Sequence, residues 1–278
     1  FCTMDALGVP RERLYQRARW NHLKRSADAA FGHYHGCRES LREGGFEDPI
    51  YLQTSYGVDE DLFTPREDVR ARIRNRFDFD EEFVIGFVGR LDSDKGLDDL
   101  LDAVPLNGIN WSLLLVGDGE MREETERIIR ENNWENRVKM TGRVPHEDVA
   151  KYMQAMDCYV LGSKTRDYWI DTFPRTVVQA MACEVPVIGS DSGAIPFQVR
   201  DAGLLYPEGN VEQLRNRIYR LAEDADLRLE LAERGRAQAV ERFGQRALAD
   251  GFYEIALQII NDDTEHDVDE KHIEYEAY

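Results

Sequence analysis

From residue 82 onward, short apolar runs alternate with longer amphipathic stretches. Runs such as Phe83-Val-Ile-Gly-Phe-Val88 and Leu113-Leu-Leu-Val116 are too short for helices and rich in residues that suit a buried sheet. They predict strands at 83–88, 111–116, 137–141, 157–161, 185–189 and 203–206. Between them, apolar residues recur at helical spacing and predict helices at 96–104, 119–132, 146–156, 175–183, 194–200, 211–223 and 226–242. Short apolar strands joined by amphipathic crossovers imply a parallel sheet covered by helices on both faces, an α/β doubly wound arrangement. Ligands of such sheets bind at the carboxyl ends of the strands.

The first 80 residues are organised differently. Residues 12–30 carry Leu14, Arg17, Ala18, Trp20, Leu23 and Ala27 at helical spacing, and a short strand is expected at 27–31. A helix from Cys37 to Glu43 is stopped by Gly44-Gly45, and a second strand is expected at 49–53. Arg66–Asp80 reads as a charged helical connector. Gln245–Ile260 reads as a last helix, and residues 261–278, with eight acids and one lysine, as a solvated tail.

Composition narrows the class. Hydrophobic residues make up 42% of 278, enough for a core. No apolar run approaches the ~20 residues of a membrane span. The opening Phe1-Cys-Thr-Met-Asp has neither a basic start nor an apolar core, so no signal peptide is read there; without an initiator Met, the chain is expected to start inside a longer protein. Net charge is −19, and of 35 basic residues only six are lysine (Lys24, Lys95, Lys139, Lys151, Lys164, Lys271). Acidic excess with few lysines is expected of a protein from a salt-rich cytosol, where screening removes self-repulsion; the other reading is an ordinary acidic enzyme. The same charge argues against nucleic acid as a partner. The four cysteines form no Cys-x-x-Cys pair; Cys158 and Cys183 read as core, and His33-x-His35 has no acidic or thiol cluster beside it that would complete a metal site.

Candidate chemistry sits after the predicted strands. Gly89-Arg90-Leu-Asp-Ser-Asp-Lys95-Gly96 follows the first strand of the alternating region and opens a helix. Its glycines let the backbone turn close to a ligand, and a helix start with two cations attracts an anion; the other reading is a surface turn with two solvated cations. Gly117-Asp-Gly119 follows the next strand, and Thr141-Gly142-Arg143-Val144 the third. The fullest signal is Asp171-Thr-Phe-Pro-Arg-Thr-Val-Val-Gln179-Ala-Met-Ala-Cys-Glu-Val-Pro-Val-Ile188. A helix starting at Pro174 points free N–H groups into the loop mouth that holds Asp171, leaving the amides of Thr176 and Val177 for an anion.

That last stretch resembles the donor-site signature of the GT-B retaining glycosyltransferases of family 4: Glu, seven residues, Glu, then Ala-Met-Ala-Cys-Gly-x-Pro-Val-Ile. Asp171 and Gln179 stand where the family has its two glutamates, Pro174 where Gly is usual, Glu184 where it has Gly, and Phe197 where Glu is frequent. Gly57-Val-Asp59 and Phe63 resemble the family's exit from its N-terminal domain. The resemblance covers the chain up to the acidic tail.

It implies a GT-B fold: residues 1–65 as the end of an acceptor-side domain, 66–82 a connector, 83–243 the nucleotide-sugar-binding domain, 244–260 a crossover helix and 261–278 the tail. The implied reaction moves a hexose from a nucleoside-diphosphate sugar to an acceptor hydroxyl with retention, and no metal or other cofactor takes part. Catalytic roles fall to Arg90 and Lys95, which hold the diphosphate, and to Asp171 on the sugar. Substrate-binding positions are Gly89, Gly117, Gly119, Arg143, Val144, Phe173, Thr176, Val177 and Gln179. Gln179 faces the ribose diol with one acceptor and no charge, or is an ordinary helical polar residue. Arg143 stacks on the nucleobase or stands exposed, and Tyr168 or Trp169 covers a sugar face or packs its loop. The implied partners are a nucleotide-sugar donor and a glycan or lipid-linked acceptor, in the cytoplasm or at the inner face of the cell membrane through peripheral contact. The acceptor pocket belongs to the first domain, so this chain alone is expected to bind donor without turnover. The departures at 171, 174, 179 and 184 leave a second reading open, a degenerate member that binds a nucleotide sugar or a protein partner without catalysis.

Overall fold

The chain is described by a computed structural model over residues 14–260, except Ser55, Asp80 and Pro105 and the side chains of residues 14–19. Cys2, the start of the first expected helix, His266, His272 and the acidic tail lie outside the described residues. The chain divides into two compact units, one of them Tyr56–Gln245 and the other built from residues before and after it.

In the flanking unit the chain runs α1 (Leu14–Ser26), β1 (Ala30–Gly32), α2 (His35–Glu43) and β2 (Ile50–Leu52). The two strands pair in parallel, Ala30 opposite Ile50. Trp20, Ala30, Leu41, Phe46 and Ile50 form a small core, and the Trp20 indole N–H donates to Gly44 O at 2.8 Å, fixing α1 against the end of α2.

The larger unit contains α3 (Glu67–Phe77), β3 (Phe83–Val88), α4 (Leu97–Ala103), β4 (Trp111–Val116), α5 (Arg122–Glu131), β5 (Val138–Met140), α6 (His146–Met153), β6 (Cys158–Leu161), α7 (Arg175–Ala182), β7 (Val187–Ser190), α8 (Ile195–Val199), β8 (Gly203–Tyr206), α9 (Val211–Glu223) and α10 (Ala225–Phe243). All six of its strands are parallel, in the order β5-β4-β3-β6-β7-β8. The central strands β3, β4, β6 and β7 are buried along their whole length, which is why they read as unbroken apolar runs rather than alternating ones. The chain winds outward from β3 to β5 and then returns to β6 on the other side of β3. Loops at the carboxyl ends of β3 and β6 therefore flank the point where the winding reverses, which is where the ligand crevice of such sheets lies.

This unit begins at Tyr56, so the 56–65 segment, expected with the N-terminal domain, groups instead with the sheet. Val58 N–H donates to Phe243 O at 2.8 Å, and Arg236 donates to Phe63 O at 2.6 Å, tying the segment to α10. The connector helix α3 is fastened to the sheet by Arg70 and Arg74, which both bind Asp157 (2.5 and 3.0 Å) just before β6. The last helix, α11 (Gln245–Ile260), lies mostly in the flanking unit, where the Phe252 ring meets Phe31 of β1 at 5.1 Å. Among the described residues no helix is long and apolar enough to cross a membrane.

Candidate functional site

The loop after β3 closes into one 3-10 turn, Ser93–Lys95, before α4. Asp92 organises it. One carboxylate oxygen accepts the Lys95 backbone N–H at 3.0 Å and the other meets Arg90 Nη2 at 3.1 Å. The turn aims Lys95 across the crevice, where Nζ lies 2.5 Å from Asp171 Oδ2 in the long loop after β6. The same oxygen accepts a hydrogen bond from the buried Ser163 hydroxyl at 2.8 Å. Asp171 is 7% exposed. A carboxylate so buried is tolerable only with a charge partner and further hydrogen bonds, and here it has both. Trp169 completes the wall, with Lys95 Nζ 4.7 Å from its ring centroid.

The loop from Ser163 to Ile170 is held from two sides. Arg166 and Trp169 exchange backbone hydrogen bonds (2.8 and 3.2 Å), and Arg166 Nε donates to Asp94 of the first loop at 3.0 Å. Lys164 reaches Asp98 and Asp99 at the start of α4, each at 2.8 Å. Burial works against the Lys164 charge, but hydrogen bonds to Asp98 and Asp99 outweigh it and its pKa is raised. Tyr168 is exposed.

Thr176 stands at the start of α7, the second residue of the helix. Its backbone N–H has no partner among the described residues. The Val177 N–H, expected to be available to an anion, instead donates to Pro174 O at 3.1 Å, because the first turn closes on itself. Phe173 is also corrected. Its side chain is buried between Tyr56 (5.9 Å between centroids) and Phe243 (5.7 Å), so the ring braces the loop. Gln179 is 5% exposed and lies one turn beyond Thr176 in α7. Phe197 packs on Phe243 at 6.4 Å with the Arg242 guanidinium 5.1 Å from its ring.

Glu184 takes a left-handed φ of 58°. Its N–H donates to Met181 O and the Val185 N–H to Ala180 O, both at 3.0 Å, the double closure that ends many helices and favours glycine. The departure at 184 is thus a matter of helix termination, not of site chemistry.

The glycines act by close approach. Gly117 has φ 140°, and a Cβ there would lie 1.9 Å from Gly89 O. Their amides are committed to the fold, Gly89 N–H to Val116 O and Gly117 N–H to Gly142 O, each at 3.0 Å. The Gly119 N–H is taken by the Asp118 carboxylate at 3.0 Å. These positions therefore shape the loops rather than supply amide donors. Arg143 is exposed and Val144 half-buried against the core. The structure brings Lys95 and Asp171 together with Ser163 and Trp169; Arg90, 63% exposed, points toward solvent. Ser163 and Asp92 carried no sequence signal, since a serine and an aspartate in loops are too common to stand out. Among the described residues no group of three or more His, Cys, Asp or Glu side chains could hold a metal ion.

The family model of the glycosyl transferases group 1 matches residues 69–238, more than half of the chain and all of the crevice. The chain belongs to this family. Among curated relatives, a GDP-mannose-dependent monoacylated α-(1-6)-phosphatidylinositol monomannoside mannosyltransferase of Corynebacterium glutamicum is 31% identical over 198 residues, covering 68% of this chain and 51% of its own. An uncharacterized glycosyltransferase of Methanocaldococcus jannaschii is 31% identical over 152 residues, 54% of this chain and 41% of its own. The chain spans about half the length of the curated relatives it matches. Among solved structures, HepE of Anabaena in complex with UDP superposes with a TM-score of 0.79 at 23% identity, covering 92% of this chain and 71% of that one. Sucrose-phosphate synthase of Thermosynechococcus elongatus does so at 0.73 and 26%, covering 91% and 63%. The group 1 chain has the α/β fold of these GT-B glycosyltransferases, with its parallel sheet and flanking helices.

Proposed function

We propose that this group 1 chain binds a nucleoside-diphosphate sugar in the crevice between β3 and β6, and that the protein transfers a hexosyl group from it to an acceptor hydroxyl with retention, as in family 4. One observation carries the reading. Lys95 and Asp171, a cation suited to the diphosphate and a carboxylate suited to sugar hydroxyls, meet at 2.5 Å across the topological switch point. The start of α7 adds a free N–H and a positive helix end beside them. In this reading Lys95 and Arg90 stabilise charge on the leaving diphosphate, a task for preorganised cations with no resident metal. Gln179 accepts from the ribose diol. Some relatives are named GDP-mannose-dependent and a structural neighbour holds UDP, so both bases are candidates.

The test is calorimetry of UDP and GDP on this chain, followed by a panel of nucleotide sugars with the full-length protein and NMR of the product anomer. Micromolar binding of one nucleotide and an axial-to-axial outcome are expected. Absence of binding by either nucleotide would remove the donor site, and an inverted product would remove the retaining assignment. The wider expectations, a cytoplasmic protein with a glycan or lipid-linked acceptor, peripheral membrane contact and no nucleic-acid partner, belong to the same proposal.

A further inference from the structure

A pair of hydroxyls beneath the start of α7, the buried Tyr159 and the half-buried Thr176, has no role in the site as described so far. Tyr159 on β6 is fully buried, and its hydroxyl lies 2.7 Å from Thr176 Oγ1 and 3.4 Å from Val88 O at the end of β3. The shorter contact has the length of a good O–H···O bond and the longer one is at the outer limit. The geometry makes Tyr159 the donor and Thr176 the acceptor. Burial, reinforced by the Asp171 charge and partly offset by the bond to Thr176, holds the Tyr159 hydroxyl well above the ordinary tyrosine range. The phenol therefore keeps its proton at any working pH.

This direction matters for Thr176. A hydroxyl has one proton, and a threonine within a helix usually gives it to a carbonyl one turn back. Here Thr176 Oγ1 already accepts from Tyr159, and among the described residues the Thr176 hydroxyl donates to nothing. Its proton is left for whatever lies at the helix start, beside its own free backbone N–H. Two donors from one residue then converge where an anion is favoured by the helix dipole.

We propose that Tyr159 is a positioning residue for the nucleoside diphosphate: by donating to Thr176 Oγ1 it forces the Thr176 hydroxyl to present its proton to a phosphate oxygen. The proposal rests on the donor-site reading above. Without the Tyr159 hydroxyl, Thr176 is free to rotate and donate to Val88 O or to its own helix, and the ligand loses that donor.

The experiment is calorimetry of UDP and GDP on the 278-residue chain and its variants. Tyr159→Phe, which removes only the oxygen, should weaken the bound nucleotide about fivefold, the size of one hydrogen bond. Thr176→Val should cost about the same, Thr176→Ser should keep wild-type affinity, and the Tyr159→Phe/Thr176→Val double variant should be no weaker than Thr176→Val alone. Unchanged affinity in Tyr159→Phe, or losses that multiply in the double variant, would overturn the positioning role. If Tyr159→Phe fails to fold, the Thr176→Val and Thr176→Ser pair still decides whether a hydroxyl at 176 is used, and equal affinities sink the proposal. Lys95→Ala separates the two levels. If it weakens binding while the Tyr159 and Thr176 variants do not, the donor site stands and the positioning role falls. If it too leaves affinity unchanged, the donor-site reading itself falls.

Discussion

Lys95 and Asp171 are 76 residues apart in sequence and 2.5 Å apart in space, one from the loop after β3 and the other from the loop after β6. The doubly wound order makes this contact. β3 and β6 are neighbours in the sheet, but their following loops turn to opposite sides, so side chains reaching inward from both meet over the crevice. Asp92 fixes the lysine end by capping its turn, and Ser163 fixes the aspartate end.

Replacing Lys95 by Ala is expected to weaken nucleoside diphosphate binding by about 2–3 kcal/mol, the range for a hydrogen bond to a charged group. It also leaves Asp171 buried beside a ligand of like charge, which adds to the loss. Arg90→Ala should cost less, because that side chain is mostly in solvent and its partner Asp92 is held elsewhere. Equal losses at the two positions would show that Arg90 turns inward on binding.

Gln179 lies one helical turn beyond Thr176 and is almost fully buried. Gln179→Glu should tighten nucleotide binding by roughly tenfold if the side chain accepts from the ribose diol, since an ionised acceptor makes the stronger bond. An unchanged dissociation constant, with the helix intact by circular dichroism, would turn position 179 away from the ribose.

Most of the sheet was legible in the sequence because parallel strands buried on both faces leave unbroken apolar runs, and β3, β4 and β8 fall on the residues expected. The loops were legible only as residue types. Glycine and lysine after β3 marked a turn near an anion, but nothing in the pattern told that Gly89 and Gly117 commit their amides to neighbouring loops. Phe173 and Val177 failed for a related reason. Proximity along the chain to Asp171 placed them in the mouth, whereas edge-on packing of Phe173 against Phe243 and the closing of the first turn at Val177 decided where they face. Tyr159 was invisible as a polar group, since on β6 it reads as one more apolar strand position.

Glu184 gives a stability test that leaves the site alone. A residue with a side chain in the left-handed region costs roughly 1–2 kcal/mol relative to glycine, partly offset by the extra freedom glycine has when unfolded. Glu184→Gly should therefore stabilise the fold by about 0.5–1 kcal/mol and raise Tm by a few degrees, with nucleotide affinity unchanged. A fall in Tm would mean that the glutamate side chain contributes more than its backbone strain.

The net charge of −19 sets a salt response. Between ~0.01 M and ~1 M salt the Debye length falls from about 30 Å to about 3 Å, so repulsion among surface carboxylates is removed. Tm should rise steeply over that range in potassium chloride, as expected of a protein suited to high salt. A flat profile would leave an acidic protein with no such adaptation.

Lys164 should behave in the opposite way. It sits 11% exposed between Asp98 and Asp99, and one carboxylate oxygen of each has no other partner among the described residues. Removing the lysine leaves the buried Asp99 and the partly exposed Asp98 crowded at the start of α4 with no cation, and breaking a buried pair such as Lys164–Asp99 costs about 3 kcal/mol. Lys164→Met is therefore expected to lower stability by that order, and added salt should restore little of it, because buried charges are screened far less than exposed ones. The pH dependence follows from the raised Lys164 pKa. The folded state holds the proton more tightly than the unfolded chain, so the stabilisation is fully present below the ordinary lysine pKa and is lost as pH rises through the higher folded value. Urea titrations of the two proteins at pH 7 and in the alkaline range should thus converge only at the alkaline end. A constant gap across that range would show that Lys164 acts through its packed stem rather than its charge.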